Sequence, residues 1–134
     1  MNCLFCQIAR KEIPAKIIKE TENSLAFLDI NPVSPGHCLV IPKKHYADLL
    51  ELPDDQLLDF FKTVKEVVHL LKDKLNPDGF NIGCNNGRSA GQVIDHLHFN
   101  IITRYQNDGG KDIQSIVSNP PKESLEEIYQ KLTN

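Results

Sequence analysis

The sequence predicts an α+β domain built around an antiparallel sheet. Five short segments are rich in Val, Ile, Phe and Leu and are bounded by turn residues, and one longer segment has the apolar spacing of a helix. The chain has 134 residues, the length of one domain, and contains no internal repeat or low-complexity tract. Because the strand connections are mostly local and one long helix can cover the sheet, an α+β architecture is expected.

Five strands are predicted where β-branched and aromatic residues are concentrated between Pro, Gly, Asn and Asp. They are residues 15–20, 24–30, 37–43, 79–85 and 96–105. Between the second and the third lie Pro32, Pro35 and Gly36, residues that restrict or free φ where a chain reverses. These two strands are therefore expected to form a wide hairpin.

The long helix is predicted from six apolar residues that recur at intervals of four and three, which places them on one stripe of its surface. They are Leu57, Phe61, Val64, Val68, Leu71 and Leu75. This stripe is expected to cover the sheet. Asp54 or Asp55 is expected to cap the start of the helix, after Pro53. Pro77 and Gly79 are expected to end it.

Two shorter helices complete the single domain, which is expected to span residues 1–134. One is predicted to begin near Ile8, and the other lies at the C-terminus, where Ser124 and Glu127 form a capping-box pattern. The apolar face of the C-terminal helix is Leu125, Ile128, Tyr129 and Leu132. The expected divisions are a core at about 3–105, a loop at 106–121 and a C-terminal helix at 122–134.

Charge and composition exclude some classes of partner. The formal net charge is −3, and a protein that binds the phosphate backbone of nucleic acids needs a basic face, so nucleic-acid binding is not expected. Small anions can still bind through backbone amides. The chain has neither a signal-peptide pattern nor a long apolar run, so we expect a cytoplasmic protein that does not associate with membranes. Its four cysteines are then expected to be reduced thiols or metal ligands.

Residues 96–100, which read His-Leu-His-Phe-Asn, carry the clearest chemical signal. Side chains alternate along a strand, so His96, His98 and Asn100 should share one face while the apolar residues between them face the core. Two histidines on one face can simply line a solvated sheet. Alternatively, a neutral imidazole with one free nitrogen is a nucleophile for a phosphorus or acyl centre.

The segment 85–92, upstream of the histidines, has the composition of an anion-binding loop. Gly87 and Gly91 allow close backbone approach, and polar donors are available from Asn85, Ser89 and Gln92. A generic turn would have a similar composition. Its position next to the histidines favours the interpretation as an oxyanion site.

Cys3 and Cys6 form a Cys-x-x-Cys pair near the N-terminus. This spacing is typical of a zinc site, of a redox pair, or of two unlinked buried thiols. A redox pair ordinarily follows a strand, and no strand is predicted before Cys3, so the redox interpretation is disfavoured.

These segments together resemble the histidine-triad (HIT) family, whose signature is His-φ-His-φ-His-φ-φ, with φ apolar, often preceded by Gly-Gln. Residues 91–102 carry this pattern, and the similarity extends over about residues 3–105. The resemblance implies a HIT-like fold with a five-stranded antiparallel sheet in each subunit. It also implies a homodimer that joins two sheets into one of ten strands.

The resemblance further implies a nucleotide-binding hydrolase. In the family the middle histidine attacks the α-phosphorus of a nucleotide, and water resolves the nucleotidyl-histidine; by position this residue is His98. His37 and His96 match histidines that support the site. The implied ligand is a purine nucleotide of the AMP or GMP type.

Other residues match the nucleotide site of the family. Asp29 matches the acidic residue that binds the ribose hydroxyls, which are good donors to a carboxylate. Asn85, Gly91 and Gln92 match positions near the phosphate, and Val93 stands where some members place a serine. The apolar slot for the base corresponds to Phe5, Ile8, Ile13, Phe27, Ile30 and Leu39. Core packing is the alternative interpretation of these apolar residues.

In many bacterial-type members the cysteine pair belongs to a zinc site, completed by a histidine after Pro-Lys-Lys and by the first histidine of the triad. The resemblance therefore implies a metal site of Cys3, Cys6, His45 and His96. The ion would be structural Zn²⁺, because four protein ligands leave no open position for water. A zinc-bound His96 would be neutral and would position His98.

Asn100 stands where the family has its third histidine. An amide forms hydrogen bonds but neither transfers a proton nor becomes cationic near neutral pH. The expected activity is hydrolysis of nucleoside phosphoramidates or related nucleoside monophosphate conjugates. The substitution leaves two alternatives open: a dinucleoside polyphosphate hydrolase, phosphorylase or nucleotidyltransferase, and a zinc-stabilised nucleotide-binding protein with little activity.

Overall fold

The computed structural model describes residues 2–134 and contains five strands and three helices. In chain order these are α1 Leu4–Ala9, β1 Ile17–Glu20, β2 Ser24–Leu28, β3 Cys38–Pro42, α2 Asp54–Leu75, β4 Gly79–Gly83, β5 Phe99–Arg104 and α3 Leu125–Thr133. The predicted α+β class, with one long helix and two shorter ones, is confirmed. None of the helices in the described part of the chain is long and apolar enough to cross a membrane.

The sheet has the order β1-β2-β3-β5-β4, and every neighbouring pair is antiparallel. The predicted hairpin between β2 and β3 is confirmed, with Ser24 opposite Pro42 and Leu28 opposite Cys38. β5 lies between β3 and β4, so the connection from β3 to β4, which contains α2, skips one strand position. Asn100, in β5, is opposite Leu39 on one side and Gly83 on the other.

Both faces of the central strands are buried. One face packs on α2 in a cluster that includes Ala26, Cys38, Val40, Phe99 and Ile101. The opposite face packs on α1 in a second cluster, formed by Phe5, Ile8, Leu25, Phe27, Leu39 and Ile41. Because successive side chains point to opposite faces, a strand covered on both sides is apolar throughout, as the fully buried β3 is.

The buried stripe of α2 differs from the predicted one. Phe60, Val64, Val67 and Leu71 are at most 6% exposed, whereas Phe61 is 39% exposed and Leu75 is 44% exposed. The helix is therefore rotated by about one residue relative to the prediction, and only Val64 and Leu71 of the predicted stripe are fully buried. The predicted members Leu57 and Val68 pack at the margin of the core.

Helix boundaries follow the sequence signals in part. α2 ends before Asn76, which has φ 48° in the left-handed region, so the predicted end is confirmed. The prediction that Asp54 or Asp55 caps its start was wrong: Pro53 is the N-cap, and both carboxylates lie in the first turn, where they favour the helix dipole. α1 begins at Leu4, earlier than predicted, because the Cys3 side chain accepts a hydrogen bond from the backbone N–H of Cys6.

α3 has the predicted capping box, formed by Ser124 and Glu127. Its predicted apolar face is not covered in the structure: Leu125 is 86% exposed, Tyr129 56% and Leu132 79%. The helix is thus stabilised by its own cap and lies outside both apolar clusters.

The turn that leads into β3 is held against the end of α2. Gly36 has φ 96°, and a Cβ atom at this position would lie 2.6 Å from a methyl carbon of Leu75. Only glycine combines this backbone conformation with such close packing. The turn delivers His37 to the start of β3, where its carbonyl accepts the backbone N–H of Asp29.

The rotation of α2 can be tested with two adjacent phenylalanines. Phe60→Ala should lower the free energy of unfolding by about 3–5 kcal/mol, because it leaves a cavity in the core. Phe61→Ala should cost less than half as much, since its ring is already 39% exposed. Urea denaturation of both variants measures the difference. Equal losses, or a larger loss for Phe61→Ala, would contradict the observed packing.

Candidate functional site

His98 precedes β5, and its ring has a defined protonation pattern. Its Nδ1–H donates to the backbone carbonyl of His96 at 2.8 Å. Since a neutral imidazole carries one proton, Nε2 keeps its lone pair. The ring lies edge to face against Phe5, with 5.1 Å between ring centroids. The side chain is half-buried, so the free nitrogen belongs to a positioned but accessible group.

The predicted strand was too long at this point. Residue 96 was expected to be in the strand, but β5 begins at Phe99 and His96 lies in a bend. The alternation of faces holds across the junction nevertheless: Leu97 and Phe99 enter the α2 cluster, while His98 contacts Phe5 on the α1 side.

His37 and Asn100 form a hydrogen-bonded pair next to His98. The backbone N–H of Val33 donates to Nδ1 of His37 at 3.2 Å, so the ring proton is on Nε2. Nε2–H then donates to Oδ1 of Asn100 at 2.9 Å. This bond fixes the amide of Asn100, whose Nδ2 hydrogens are directed away from His37. Oδ2 of Asp29 lies 3.7 Å from His37 Nε2, which completes a polar group at the end of the hairpin.

The loop at 85–92 is held by the side chain of Gln92. Its Oε1 accepts the backbone N–H of Gly87, and its Nε2 donates to the carbonyls of Ala47 and Ile94 at 2.7 and 3.1 Å. Gln92 is only 6% exposed. Its amide therefore shapes the loop, whereas the side chain of Asn85 is exposed.

Two glycines permit the shape of this loop. Gly87 and Gly91 have φ values of 95° and 98°, which disfavour any other residue. A Cβ at Gly91 would lie 3.3 Å from Nδ2 of Asn85. The loop backbone and Asn85 are thus in contact, as the sequence prediction requires for a shared anion site.

The predicted base slot is only partly assembled. Phe5, Ile8, Phe27 and Leu39 pack together and are each at most 7% exposed, and Ile13 packs at the edge of the same cluster. Ile30 is 90% exposed and lies outside that cluster. The half-buried Asp29 is within hydrogen-bonding reach of its own loop, where Oδ1 accepts the backbone N–H of Asn31 at 2.8 Å.

Cys3, Cys6, His45 and His96 form a cluster that could hold a metal ion. One ligand atom from each lies within 4.8 Å of all the others. The sulfur-to-nitrogen distances are 3.4 Å for Cys3 and His96, 3.5 Å for Cys6 and His96, and 3.3 Å for Cys6 and His45. In a tetrahedral site with bonds of about 2.0–2.3 Å, neighbouring ligand atoms are about 3.3–3.8 Å apart. The donor set therefore fits a tetrahedral dication.

His96 is prepared for this role by its surroundings. It is fully buried, and its Nε2–H donates to the carbonyl of Pro42 at 2.8 Å, so the Nδ1 lone pair faces the two sulfurs. Burial lowers the pKa of His96 to about 4, which keeps the ring neutral. Burial also raises the pKa of the Cys6 thiol, and a bound dication would displace that proton.

The other two cysteines lie apart from this cluster. Cys38 is completely buried in the α2 cluster, and burial raises its pKa to about 12. Cys84 is half-buried beyond the end of β4. Cys84 packs against the α2 cluster, and both cysteines behave as small apolar side chains.

Two contributors to the site were not predicted. The backbone N–H of Val33 and the carbonyl of Pro42 fix the tautomers of two histidines. These backbone groups have no side-chain signature, so the sequence offers no signal for them. Phe5 was predicted as part of the base slot, but its packing against the His98 ring was not.

The HIT domain family model matches residues 10–107. The chain belongs to the HIT domain family. An uncharacterised HIT-like protein of Methanocaldococcus jannaschii is 58% identical to it over 107 residues, which cover 80% of this chain and 82% of that protein. An adenosine 5′-monophosphoramidase of Schizosaccharomyces pombe is 44% identical over 110 residues, covering 82% and 80%.

A solved structure also bears on the metal cluster of this HIT protein. The chain is similar to a Zn-bound histidine triad family protein from Mycobacterium smegmatis, with a TM-score of 0.76 and 36% identity. The similarity covers 81% of this chain and 79% of that one. The HIT-like fold expected from the sequence is therefore confirmed by the structure and by this likeness.

Metal binding by the cluster can be tested by removing one ligand. Cys6→Ser should reduce the metal content of the purified protein from about one ion per chain to near zero, because a tetrahedral structural site needs four ligands. Elemental analysis by mass spectrometry measures the content and identifies the ion.

Cys84→Ser is the control, since it makes the same change at a thiol that lies outside the cluster. It should retain the ion. A protein that carries no metal before mutation, or a Cys6→Ser variant that keeps it, would contradict the assignment of the site.

Proposed function

We propose that this HIT protein hydrolyses nucleoside phosphoramidates or related nucleoside monophosphate conjugates through a nucleotidyl intermediate on His98. The observation that carries the proposal is the hydrogen bond from His98 Nδ1–H to the His96 carbonyl at 2.8 Å, which leaves Nε2 unprotonated. An unprotonated imidazole nitrogen is the form that attacks phosphorus. The phosphoramidase named among the relatives supports this choice of substrate.

The reaction has two steps in which His98 is consumed and restored. Nε2 attacks the α-phosphorus, and the bond between phosphorus and the leaving group breaks with its electron pair on the leaving group; an amine leaving group takes up a proton from solvent. Water then attacks the nucleotidyl-histidine, the phosphorus–nitrogen bond breaks, and a proton from water passes to solvent. The carbonyl of His96 stabilises the cationic ring between the two steps because it accepts the hydrogen bond from Nδ1–H.

The nucleotide would lie across the surface that these residues form. Backbone amides of the loop at 85–92 and the exposed Asn85 would bind the phosphate. Asp29 would accept hydrogen bonds from the ribose hydroxyls. The base, a purine by family resemblance, would contact the outer edge of the cluster that contains Phe5 and Ile8.

We propose zinc as the ion of the cysteine and histidine cluster. Two thiolates and two imidazoles are a ligand set that zinc favours, and the similar Mycobacterium smegmatis protein is Zn-bound. The ion would be structural, because its four ligands come from the chain. It would hold α1 and the segment before β5 together, and with them Phe5 and His98.

A second candidate activity is favoured by Asn100. A side chain that cannot give up a proton offers little help to an amine that must be protonated as it leaves. Transfer of the nucleotidyl group to phosphate, or cleavage of dinucleoside polyphosphates, makes less demand on such a donor. The third candidate is a nucleotide-binding protein with little turnover, and it too is favoured by the lack of a proton donor at Asn100.

Mass spectrometry after incubation with an adenosine phosphoramidate tests the proposal. The protein should carry adenylate on His98 and release AMP. His98→Ala should lose both, whereas His69→Ala should retain both, since His69 is exposed on α2.

The other candidates give distinct results in the same experiment. If ADP forms when phosphate is added, the activity is phosphorolysis and not hydrolysis. Bound nucleotide with neither adduct nor product would indicate the binding protein and refute the catalytic proposal.

We also propose that two copies form a homodimer through β4. In the described residues β4 pairs with β5 alone, so its outer edge is open, and Ile82 is 43% exposed. Light scattering should give twice the chain mass of 15.2 kDa. Ile82→Lys should shift it toward the monomer, and Leu50→Lys, at an exposed site outside the sheet, should not. A wild-type monomer contradicts the proposal.

The cytoplasmic location stays a prediction.

A further inference from the structure

We propose that this site selects conjugates whose leaving group is a weakly basic oxyanion on an apolar body, such as the carboxylate of a mixed anhydride or the phenolate of an aryl ester. The inference rests on the proposed function, because it requires His98 as the nucleophile. Two observations carry it. One is the fixed amide of Asn100, and the other is the apolar cavity beside it.

The amide of Asn100 can donate hydrogen bonds to the phosphate, but it cannot protonate a basic leaving group. Oδ1 is engaged by Nε2–H of His37 at 2.9 Å, and the tautomer of His37 is fixed by the N–H of Val33. The remaining N–H bonds of Asn100 can donate hydrogen bonds without releasing a proton. His37 is neutral in this arrangement, and its one ring proton is already donated to Asn100. A leaving group at this position must depart unprotonated.

Other ionisable groups near the cavity are poor substitutes for an acid. The Cys84 thiol lines the cavity, but burial and the neighbouring charge of Asp48 raise its pKa, so it holds its proton more firmly. Tyr105 and Lys111 line the cavity too. Tyr105 is five positions beyond Asn100 along an extended chain, about 16 Å away at 3.3 Å per residue.

The cavity has a volume of about 630 Å³ and is lined by Asn100, two residues after His98 in the chain. His37 and Asn85 line it as well. Its apolar lining outside β4, the strand of the proposed dimer edge, includes Ile102, Ile113 and Ile116. A space of this size accommodates a small organic group, and isoleucine side chains favour an apolar one.

The register of the sheet places this cavity opposite the base slot. Asn100 is flanked by Leu39 of β3, which belongs to the cluster under α1, and by Gly83 of β4, which lines the cavity. In-line attack places the leaving group on the far side of the phosphorus from His98 Nε2. With the base against the α1 cluster, the space open to the leaving group is the cavity on the β4 side of Asn100. The cavity is the leaving-group subsite in this arrangement.

A long polyphosphate fits this cavity poorly. Arg104 lines it, but its guanidinium already donates to two oxygens of Asp108, to Asn81 and to the carbonyl of Lys111. Asp108 and Asp112 balance the charges of Arg104 and Lys111 in the same lining, so the cavity offers no excess positive charge to a chain of phosphates. The cavity therefore favours a leaving group with one negative charge near phosphorus and an apolar remainder.

The first step then needs no proton donor. The lone pair of His98 Nε2 forms the bond to phosphorus, the phosphorus–oxygen bond breaks, and the oxygen departs with the electron pair as carboxylate or phenolate. Water releases the nucleotide from His98 as described above, and the products are AMP, the anion and one proton in solvent.

A series of adenosine 5′-phosphate aryl esters and one alkyl phosphoramidate tests the role of Asn100. In the wild type, kcat/KM should fall steeply as the pKa of the leaving group rises. Asn100→His should raise kcat/KM for the alkyl phosphoramidate by about 10²-fold or more, the usual worth of a proton donor, and change the most acidic ester by less than about 10-fold. Asn100→Gln is the matched control and should keep the steep dependence.

The cavity is tested with two adjacent residues of similar exposure. Ile116 lines it and is 74% exposed, whereas Val117 is 71% exposed and does not line it. Ile116→Ser should lower the ratio of kcat/KM for a bulky apolar acyl adenylate to that for acetyl adenylate by about 3-fold or more, through lost apolar contact. Val117→Ser should leave the ratio unchanged.

The outcomes separate this inference from the function on which it rests. Without AMP release or adenylated His98 from any substrate, the proposed function itself fails. If His98 is adenylated but the wild-type rates do not depend on leaving-group pKa, or the two serine variants behave alike, the leaving-group inference is overturned. The wild-type rates alone test the dependence on leaving-group pKa, so this test stands even if Asn100→His does not fold.

Discussion

The cluster of Cys3, Cys6, His45 and His96 is the constraint on which the rest of the site depends. It joins α1, the chain after β3 and the bend before β5, three segments that are far apart in sequence. The cluster also sets the protonation of its neighbour: His96 uses its two nitrogens for the sulfurs and for Pro42, and its carbonyl is the acceptor for His98. The segment that holds the cysteines also supplies Phe5, whose ring packs on His98. One small polar cluster thus controls the position and the tautomer of the candidate nucleophile.

The sheet supplies a fixed frame for this chemistry. β5 lies between β3 and β4, so a residue in it can contact a group on either neighbour. Asn100 uses this position: it meets His37 from the β3 hairpin and borders the cavity on the β4 side. Because both faces of β3 are buried, the frame that holds these groups is rigid, whereas the loop at 85–92, the proposed phosphate site, is largely exposed.

The sequence predicted the class and the five strands from local patterns. The Cys-x-x-Cys spacing left several interpretations open, and the four residues of the metal cluster came from the resemblance to the HIT family. The sequence predicted the wrong stripe on α2 for a definite reason. Phe60 and Phe61 are adjacent apolar residues, as are Val67 and Val68, so periodicity alone cannot decide which member of each pair is buried. Long-range polar contacts also could not be predicted from the sequence. Gln92 donates to the carbonyl of Ala47, 45 residues away, and no local pattern indicates that bond.

The bond between Val33 and His37 restricts what evolution can place at position 100. Its donor is a main-chain N–H, which substitution of the Val33 side chain leaves in place, so Nε2 of His37 always presents a proton to its neighbour. Position 100 must then offer an acceptor, and both amides and a neutral imidazole can do so. A lineage could exchange asparagine and histidine there in either direction by altering that residue alone, and so gain or lose a proton-transfer group while the surrounding scaffold stays the same.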